Sequence, residues 1–296
     1  MSAPQTAPAC AIIIPHYDDP DRLARCLEAL APQVEGEVEV VVADNGSEMP
    51  PDAVLARFPF ARMVHEPESG AGLARNRGVA ESTAPVLLFI DADCLPAPDW
   101  VATGHRIARA GHVIGGRVDV FHETPPPRSG AEAFEDVFAF RMRDYLERDA
   151  FLGSGNLALF RDTFEAVGGF RPAVSEDKEW SQRAAASGMV LGYEDGFVVA
   201  HPSRSDWAAL RRKWRRLTEE SFALHVQRGG GRLAWALRGL AMPASAVVHT
   251  ARFFRQADMS HGERGRGIIT LHKLRWLRMV WMLGQSLSAS GGDPST

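Results

Sequence analysis

Residues 10–120 alternate short β-branched apolar runs with segments of helical periodicity, and that alternation limits the fold more than any other feature. "CAIII" from Cys10 reads as a strand; Asp19-Pro20 then supplies a helix cap and a first-turn proline. Leu23, Cys26, Leu27 and Leu30 follow at helical spacing. "VEVVVA", "ARMVH", "PVLLFI" and "HVIGGRVDV" read as four further strands, and "GAGLARNRGVAEST" as a helix after its glycines. The pattern predicts an α/β fold, a mostly parallel sheet covered by helices on both faces. In such sheets ligands bind beyond the carboxyl ends of the strands. Polar residues collect there in this chain, as "PHYDD", "DNGS" and "DADC". A dinucleotide-binding domain needs G-x-G-x-x-G after its first strand. Pro15-His16-Tyr17-Asp18-Asp19 stands there instead and excludes it.

The chain of 296 residues has room for one sizeable domain plus an appendage. Its net charge of −4 conceals an asymmetry. Residues 1–201 carry 17 Lys and Arg against 31 Asp and Glu, a balance of −14, whereas 202–296 carry 16 against 6, a balance of +10. Different jobs are expected of the two parts, the second involving an anionic surface. The expected organisation is an unstructured 1–9, a catalytic domain over 10–201, a basic helical extension over 202–286 and an unstructured 287–296. The first segment has neither the positive flank nor the apolar core of a signal peptide. Cys10, Cys26 and Cys94 show no metal-ligand spacing, and a cytoplasmic, reducing setting is expected.

"LLFIDADC" ends an apolar strand in two carboxylates. In an extended chain residues i and i+2 face the same side, so Asp91 and Asp93 are expected to converge beyond the sheet edge. Like charges so placed call for a cation, and hard oxygen ligands suit Mg²⁺ or Mn²⁺. A solvated turn with capping aspartates is the alternative for the motif alone.

The ordered set "IIIPHYDD", "VVADNGS", "GAGLARNRG", "LLFIDADC", "GSGNLALFRDTFEAVGGF", "SEDKEW" and "VVAHP" resembles the family-2 inverting glycosyltransferases of the GT-A fold over about residues 10 to 201. The resemblance implies a nucleotide-sugar donor at the sheet's carboxyl edge and transfer of its sugar to a hydroxyl with inversion. It implies Asp44 as acceptor for a base N–H; uracil fits, and thymine or guanine offers a like donor. Tyr17 would lie against the base and Pro15 would shape the chain beside it. Gly70 and Gly72 would allow close backbone approach, with Arg75 and Asn76 one turn into the helix. Arg75 and Arg77 cannot both point into the site. Asp91 would contact ribose and metal, Asp93 and His201 the metal. Asp177 would be the base that accepts the acceptor's proton, supported by Glu176, although Ser175, Glu176 and Asp177 could equally serve as a helix start. "GSGN" with Asn156, and Trp180, would lie near sugar or acceptor. The Q-x-x-R-W motif of processive relatives is absent, so single-sugar transfer is expected. A nucleotidyltransferase and an inactive scaffold of the same fold are the other classes open.

In "SDWAALRRKWRRLTEESFAL", Trp207, Leu210, Trp214, Leu217 and Leu224 share one helical face, with Arg211, Arg212, Lys213, Arg215 and Arg216 on the others. "IITLHKLRWLRMVWMLGQS" repeats the theme. A peripheral place on the anionic inner face of the cell membrane, beside a saccharide or lipid-linked acceptor, accounts for stripe, tryptophans and charge; packing within the protein accounts for the stripe alone. No base-reading module accompanies the charge, so nucleic acid is not an expected partner. The longest uncharged run, Gly239 to Ala251, has 13 residues and is too short to span a bilayer.

Overall fold

The structure, a computed structural model, describes residues 8–172 and 175–288; the expected unstructured ends fall almost wholly outside them. In chain order the strands and helices begin with β1 (Cys10–His16), α1 (Pro20–Leu30), β2 (Val38–Asp44), α2 (Asp52–Leu55), β3 (Ala61–His65), α3 (Ala71–Ala80) and β4 (Val86–Ile90). They continue with β5 (Leu95–Pro96), α4 (Trp100–Ile107), β6 (His112–Phe121), α5 (Gly130–Phe138), α6 (Met142–Asp149), β7 (Asn156–Phe160), α7 (Arg161–Val167), α8 (Glu176–Ala186) and β8 (Val190–Pro202). Four helices follow, α9 (Trp207–Gln227), α10 (Arg232–Leu240), α11 (Met242–Thr250) and α12 (His261–Leu287). No helix among the described residues is long and apolar enough to cross a membrane.

Contacts divide the chain into two compact units: residues up to Asp119 with Phe140–Pro202, and Val120–Ala139 with the chain from Ser203. A boundary at 201/202 therefore misses α5, which joins the later helices because its apolar residues Phe134 and Phe138 cluster with Leu210, Phe253, Leu271 and Leu274.

In the first unit the sheet order is β3-β2-β1-β4-β7-β6-β8-β5. β3, β2, β1 and β4 are mutually parallel, as the strand–helix alternation predicts. Beyond β4, the pairings of β4 with β7, β7 with β6 and β8 with β5 are antiparallel, so the sheet is mixed. The reason is β7, which comes late in the chain and inserts between β4 and β6. Both faces are buried, with the period of two that strands impose. Ile12, Ile14, Val42, Leu88 and Ile90 pack on one face with Leu23 and Leu27 of α1 and Trp100 of α4. Ile13, Val41, Leu87 and Phe89 pack on the other with Val79 of α3, Phe164 of α7 and Trp180 of α8. Each such side chain contributes about 1.5–3 kcal/mol relative to exposure.

The second unit is helical. The predicted stripe on α9 exists, but it faces the unit's own core: Leu210 is buried, and Trp207 and Trp214 pack against that cluster. Two capping boxes start α5 at Ser129 and Glu132 and α12 at Ser260 and Glu263. Glu263 also accepts a bond from the Arg128 N–H at 2.8 Å. Bonds from Ser260 and Arg128 hold its pKa down from 4.5 to about 2. A carboxyl whose folded value is depressed contributes stability that is present above pH 4.5 and is lost as the pH falls toward 2. Glu263→Gln is therefore expected to unfold at a lower temperature than wild type at pH 6, with the gap closing between pH 4.5 and 2; melting curves over that range check it.

Candidate active site

The site grows from the ends of the parallel strands. The β1–β2 register sets His16 beside Asp44, and His16 Nδ1 lies 2.9 Å from Asp44 Oδ1. His16 Nε2 accepts the Asp19 backbone N–H at 3.3 Å, which assigns the Nδ1–H tautomer and makes Asp44 the acceptor. Ser47 adds bonds from its hydroxyl (2.6 Å) and its N–H (3.2 Å). Burial opposes ionisation of Asp44, yet the bonds from Ser47 and His16 hold its pKa below the ordinary range. The residue is only 1 % exposed, so a base cannot reach it. Asp44 positions His16 and the turn after β2, and the expected preference for uracil loses its reader.

A cleft of about 440 Å³ opens beside these strand ends, within the range for small-molecule sites. Pro15, Tyr17, Gly70, Arg75, Asp91 and Asp93 all line it, as the resemblance implies. Tyr17 is exposed and available to lie against a planar ligand. His16 and Asn45 line it too and were missed by sequence reasoning, although both stand in the quoted strand ends. Asn45 accepts from the Gly70 N–H (2.7 Å) and donates to the Glu68 carbonyl (2.6 Å), tying down the loop that leads into α3. Gly70 has φ 147°, a conformation that side chains rarely adopt.

Asp91 and Asp93 do not converge. The chain is not extended after β4 but turns, closed by the Cys94 N–H on the Asp91 carbonyl at 3.0 Å. Asp91 is drawn to Arg75, whose Nη2 lies 2.5 Å from its Oδ1. The register Ile90↔Asn156 also brings Gly155 to Asp91: a Cβ at Gly155 would stand 2.3 Å from Asp91 Oδ2. The glycine of "GSGN" thus leaves room for a carboxylate. Asp93 turns to His201, which the β5–β8 pairing at Leu95↔Ala200 brings alongside, with Oδ2 3.2 Å from Nε2. His201 Nδ1 donates to the Pro202 carbonyl at 2.7 Å, and the Phe140 ring lies against the imidazole with centroids 4.5 Å apart.

The chemistry of this donor set fits a divalent cation. With Nδ1–H fixed on a carbonyl, the Nε2 lone pair faces a carboxylate oxygen, an arrangement that a proton or a metal ion satisfies. Asp93, Cys94 and His201 offer ligand atoms within 4.8 Å of one another. Burial and the neighbouring aspartates raise the Cys94 pKa well above its ordinary value, and its thiol donates to Asp93 Oδ1 at 3.7 Å.

Arg75 is the hub. It is 4 % exposed, its guanidinium lies over the Phe170 ring at 5.7 Å, and it reaches Asp91, Glu176 (3.3 Å) and Asp177 (3.8 Å). Burial alone would lower its pKa, but the carboxylates raise it. Arg77, two positions on, is exposed and pairs with Glu81, as helical geometry requires. Glu176 is lodged against α3: the Gly72 N–H is bonded to it, and a Cβ on Gly72 would stand 2.8 Å from its Oε2. Burial, then Asp177 and Asp91, raise its pKa against the opposing pull of Arg75 and Gly72.

Asp177 is held by the hydroxyl of buried Ser154 at 2.6 Å, a partner that sequence reasoning saw only as part of "GSGN". The triplet does start a helix, with Ser175 at the N-cap and Glu176 and Asp177 in the first turn, but Ser175 makes no side-chain cap bond and has φ 63°. Left-handed non-glycine backbone occurs among the described residues at Asp18, Phe140, Ala150 and Ser175; the first follows Tyr17, the second packs on His201 and the last precedes Glu176. Such strain persists where surrounding structure over-determines it, commonly at functional sites.

Three expected ligand contacts are overturned. Asn76 is bonded through both ends of its amide to the backbone of Phe170 (2.7 and 2.8 Å). Asn156 is buried, accepting from Trp100 Nε1 and donating to the carbonyls of Phe197 and Arg117. Trp180 lies in the core with Phe164 and Phe170, its indole N–H on the Gly168 carbonyl at 2.8 Å. Each is structural because its polar group already has an internal partner.

Known proteins share this frame. The chain is 27% identical over 221 residues to glycosyltransferase AglE of Haloferax volcanii, covering 71% of this chain and 72% of that one. It is 25% identical over 280 residues to the pre-mycofactocin glycosyltransferase of Mycobacterium tuberculosis, covering 84% of this chain but 58% of that protein's length. In fold it is similar to the mannosyltransferase PcManGT of Pyrobaculum calidifontis, solved with GDP-Man and Mn²⁺ (TM-score 0.55, 17% identity, 98% of this chain and 78% of that one). It is also similar to S. aureus TarS 1-349 (TM-score 0.52, 13% identity, 90% of each chain). Residues 11–168, over half of the chain and most of the strand ends that build the cleft, match Glycosyl transferase family 2, and the chain belongs to that family.

Proposed function

We propose that this protein transfers one sugar from a nucleotide-sugar to an acceptor hydroxyl with inversion, Asp177 acting as the base. The observation that carries the reading is the Arg75 relay, which ties cleft-lining Asp91 to Glu176 and Asp177. The donor's nucleotide occupies the cleft beside Tyr17 and the Gly70 turn, and Asp91, held by Arg75, accepts from its ribose. Asp93 and His201 would hold Mn²⁺ or Mg²⁺, which when bound offsets charge on the departing diphosphate. Asp177 takes the acceptor's proton as its oxygen bonds to the anomeric carbon and the bond to the diphosphate breaks. Ser154 fixes the base, and Glu176 supports it through Arg75.

The acceptor reading, a saccharide or lipid-linked chain in surface polysaccharide or glycolipid assembly, rests on the second unit. There Leu233, Leu237, Val247, Val248, Ile269, Trp276 and Val280 are exposed. Trp207, Ile268, Ile269 and Trp276 wall an apolar groove of about 800 Å³ beside Arg211 and Lys273. Apolar surface next to cations suits the headgroup layer of an anionic membrane. Of the α9 stripe, Trp207 borders this groove, while Leu210 is packed inward.

A panel of nucleotide-sugars with purified protein, read by nucleoside diphosphate release, tests the proposal. Release from one donor is expected, lost on chelation and reduced in Asp93→Ala and His201→Ala. Pyrophosphate release would instead mark a nucleotidyltransferase, and no metal-dependent binding of any nucleotide would sink the donor site.

A further inference from the structure

Among the described residues of the second unit are two half-buried cations without acidic partners. Leu271, Leu274 and Met282 form the buried face of α12, and Arg275 and Arg278 fall on the same stripe. Arg278 Nε donates to the Thr218 hydroxyl of α9 at 3.3 Å, and its guanidinium lies over the Trp214 ring at 4.7 Å. Arg275 meets Met242 Sδ at 3.6 Å and His249 Nδ1 at 3.4 Å, both from α11. Among the described residues, neither guanidinium has a carboxylate within ion-pair distance.

The unit's acids serve elsewhere. Glu135 pairs with Lys213 and Arg204, Glu219 and Glu220 with Arg215 and Arg216, Asp258 and Asp136 with Arg128, and Glu263 caps α12. Burial, then the neighbouring Arg275 and Arg238, push the Arg278 pKa down to about 9, and burial with Arg252 lowers that of Arg275. A second, independent observation is the indole N–H of Trp214, buried and without an acceptor in the same pocket of side chains.

Charge drawn partly out of water and left uncompensated is costly, and folds that keep it ordinarily supply a counter-charge. We propose that Arg275 and Arg278, with Arg238 at the rim, bind a phosphate group within the helical unit. The guanidinium fork matches phosphate oxygens two at a time, and an acceptor aimed at the Trp214 N–H would complete the set. The group could be free phosphate or a lipid headgroup; the recognition chemistry is common to both. The inference rests on the second unit alone and stands or falls apart from the catalytic reading.

The test is thermal unfolding of the full chain in sodium phosphate against sodium chloride at matched ionic strength, and in lysophosphatidic acid against lysophosphatidylcholine micelles. Wild type should gain on the order of 5 °C at saturating phosphate group. The gain should vanish in Arg275→Gln with Arg278→Gln and persist in Arg215→Gln with Arg216→Gln, which removes two exposed charges from the same unit. Equal gains from inorganic phosphate and the lipid assign a free ion; a larger gain from lysophosphatidic acid assigns a headgroup. No gain from either, a gain kept by the first pair, or one lost equally in the second overturns the site. Should the double variant not fold, Arg278→Met serves the same comparison. It should melt no lower than wild type in phosphate-free buffer; a lower value would show that the Thr218 bond and the Trp214 ring already offset the cost of its desolvation, and overturns the site too.

Discussion

Asp177→Asn is expected to lower turnover by roughly 10²- to 10⁴-fold, the range that a positioned base contributes, with the donor's KM little changed. Asparagine keeps the shape and can still accept the Ser154 hydroxyl that holds Asp177 at 2.6 Å. It cannot take a proton, so only the chemical step suffers. Steady-state nucleoside diphosphate release, with kcat and KM separated, reads the result. A loss under tenfold would move the base elsewhere. Glu176 is the next carboxylate, but its pKa is already raised by burial and by Asp177, and its oxygens face Arg75 and Gly72. Glu176→Gln should therefore cost less than Asp177→Asn; the reverse order would exchange their roles.

Arg75→Met should cost on the order of 1–3 kcal/mol of stability, the scale for lost charged hydrogen bonds, since the carboxylates left behind are 25–34 % exposed, and should abolish turnover as well. The substitution keeps much of the apolar stem over Phe170 but leaves the half-buried Asp91, Glu176 and Asp177 to repel one another. Denaturant unfolding measures the loss. Adding Glu176→Gln removes one of the stranded charges and should restore part of it, so the double-mutant cycle gives a coupling well above the few tenths of a kcal/mol that independent sites show. Strict additivity would mean that Arg75 merely fills space. Because the same carboxylates line both halves of the proposed reaction, activity is not expected to return with stability.

Much of this molecule is written locally. Continuous β-branched apolar runs mark β1, β2 and β4, which are buried on both faces, and a period near four marks α1, because side-chain direction repeats with backbone geometry wherever the strand or helix ends up. The polar ends of the strands were legible for the same reason, and Pro15, Tyr17, Gly70, Arg75, Asp91 and Asp93 do line one cleft. What each polar group does there depended on neighbours distant in the chain. Asp44 is closed to a base because β1 sets His16 beside it, and Asp91 and Asp93 part company because Arg75 claims one and His201 the other. Asn156 and Trp180 belong to the core because Trp100 and Gly168 supply their partners. The α9 stripe reads alike whether it meets lipid or protein, and it is α5, α11, α12 and Phe253 that make it a core. By itself, then, the sequence determined the elements, their buried faces and the edge where chemistry gathers. Tertiary structure alone decided the insertion of β7, the partner of every carboxylate and the placing of Arg275 and Arg278 away from any carboxylate among the described residues, since a hydrogen bond or a charge is defined by what stands opposite it.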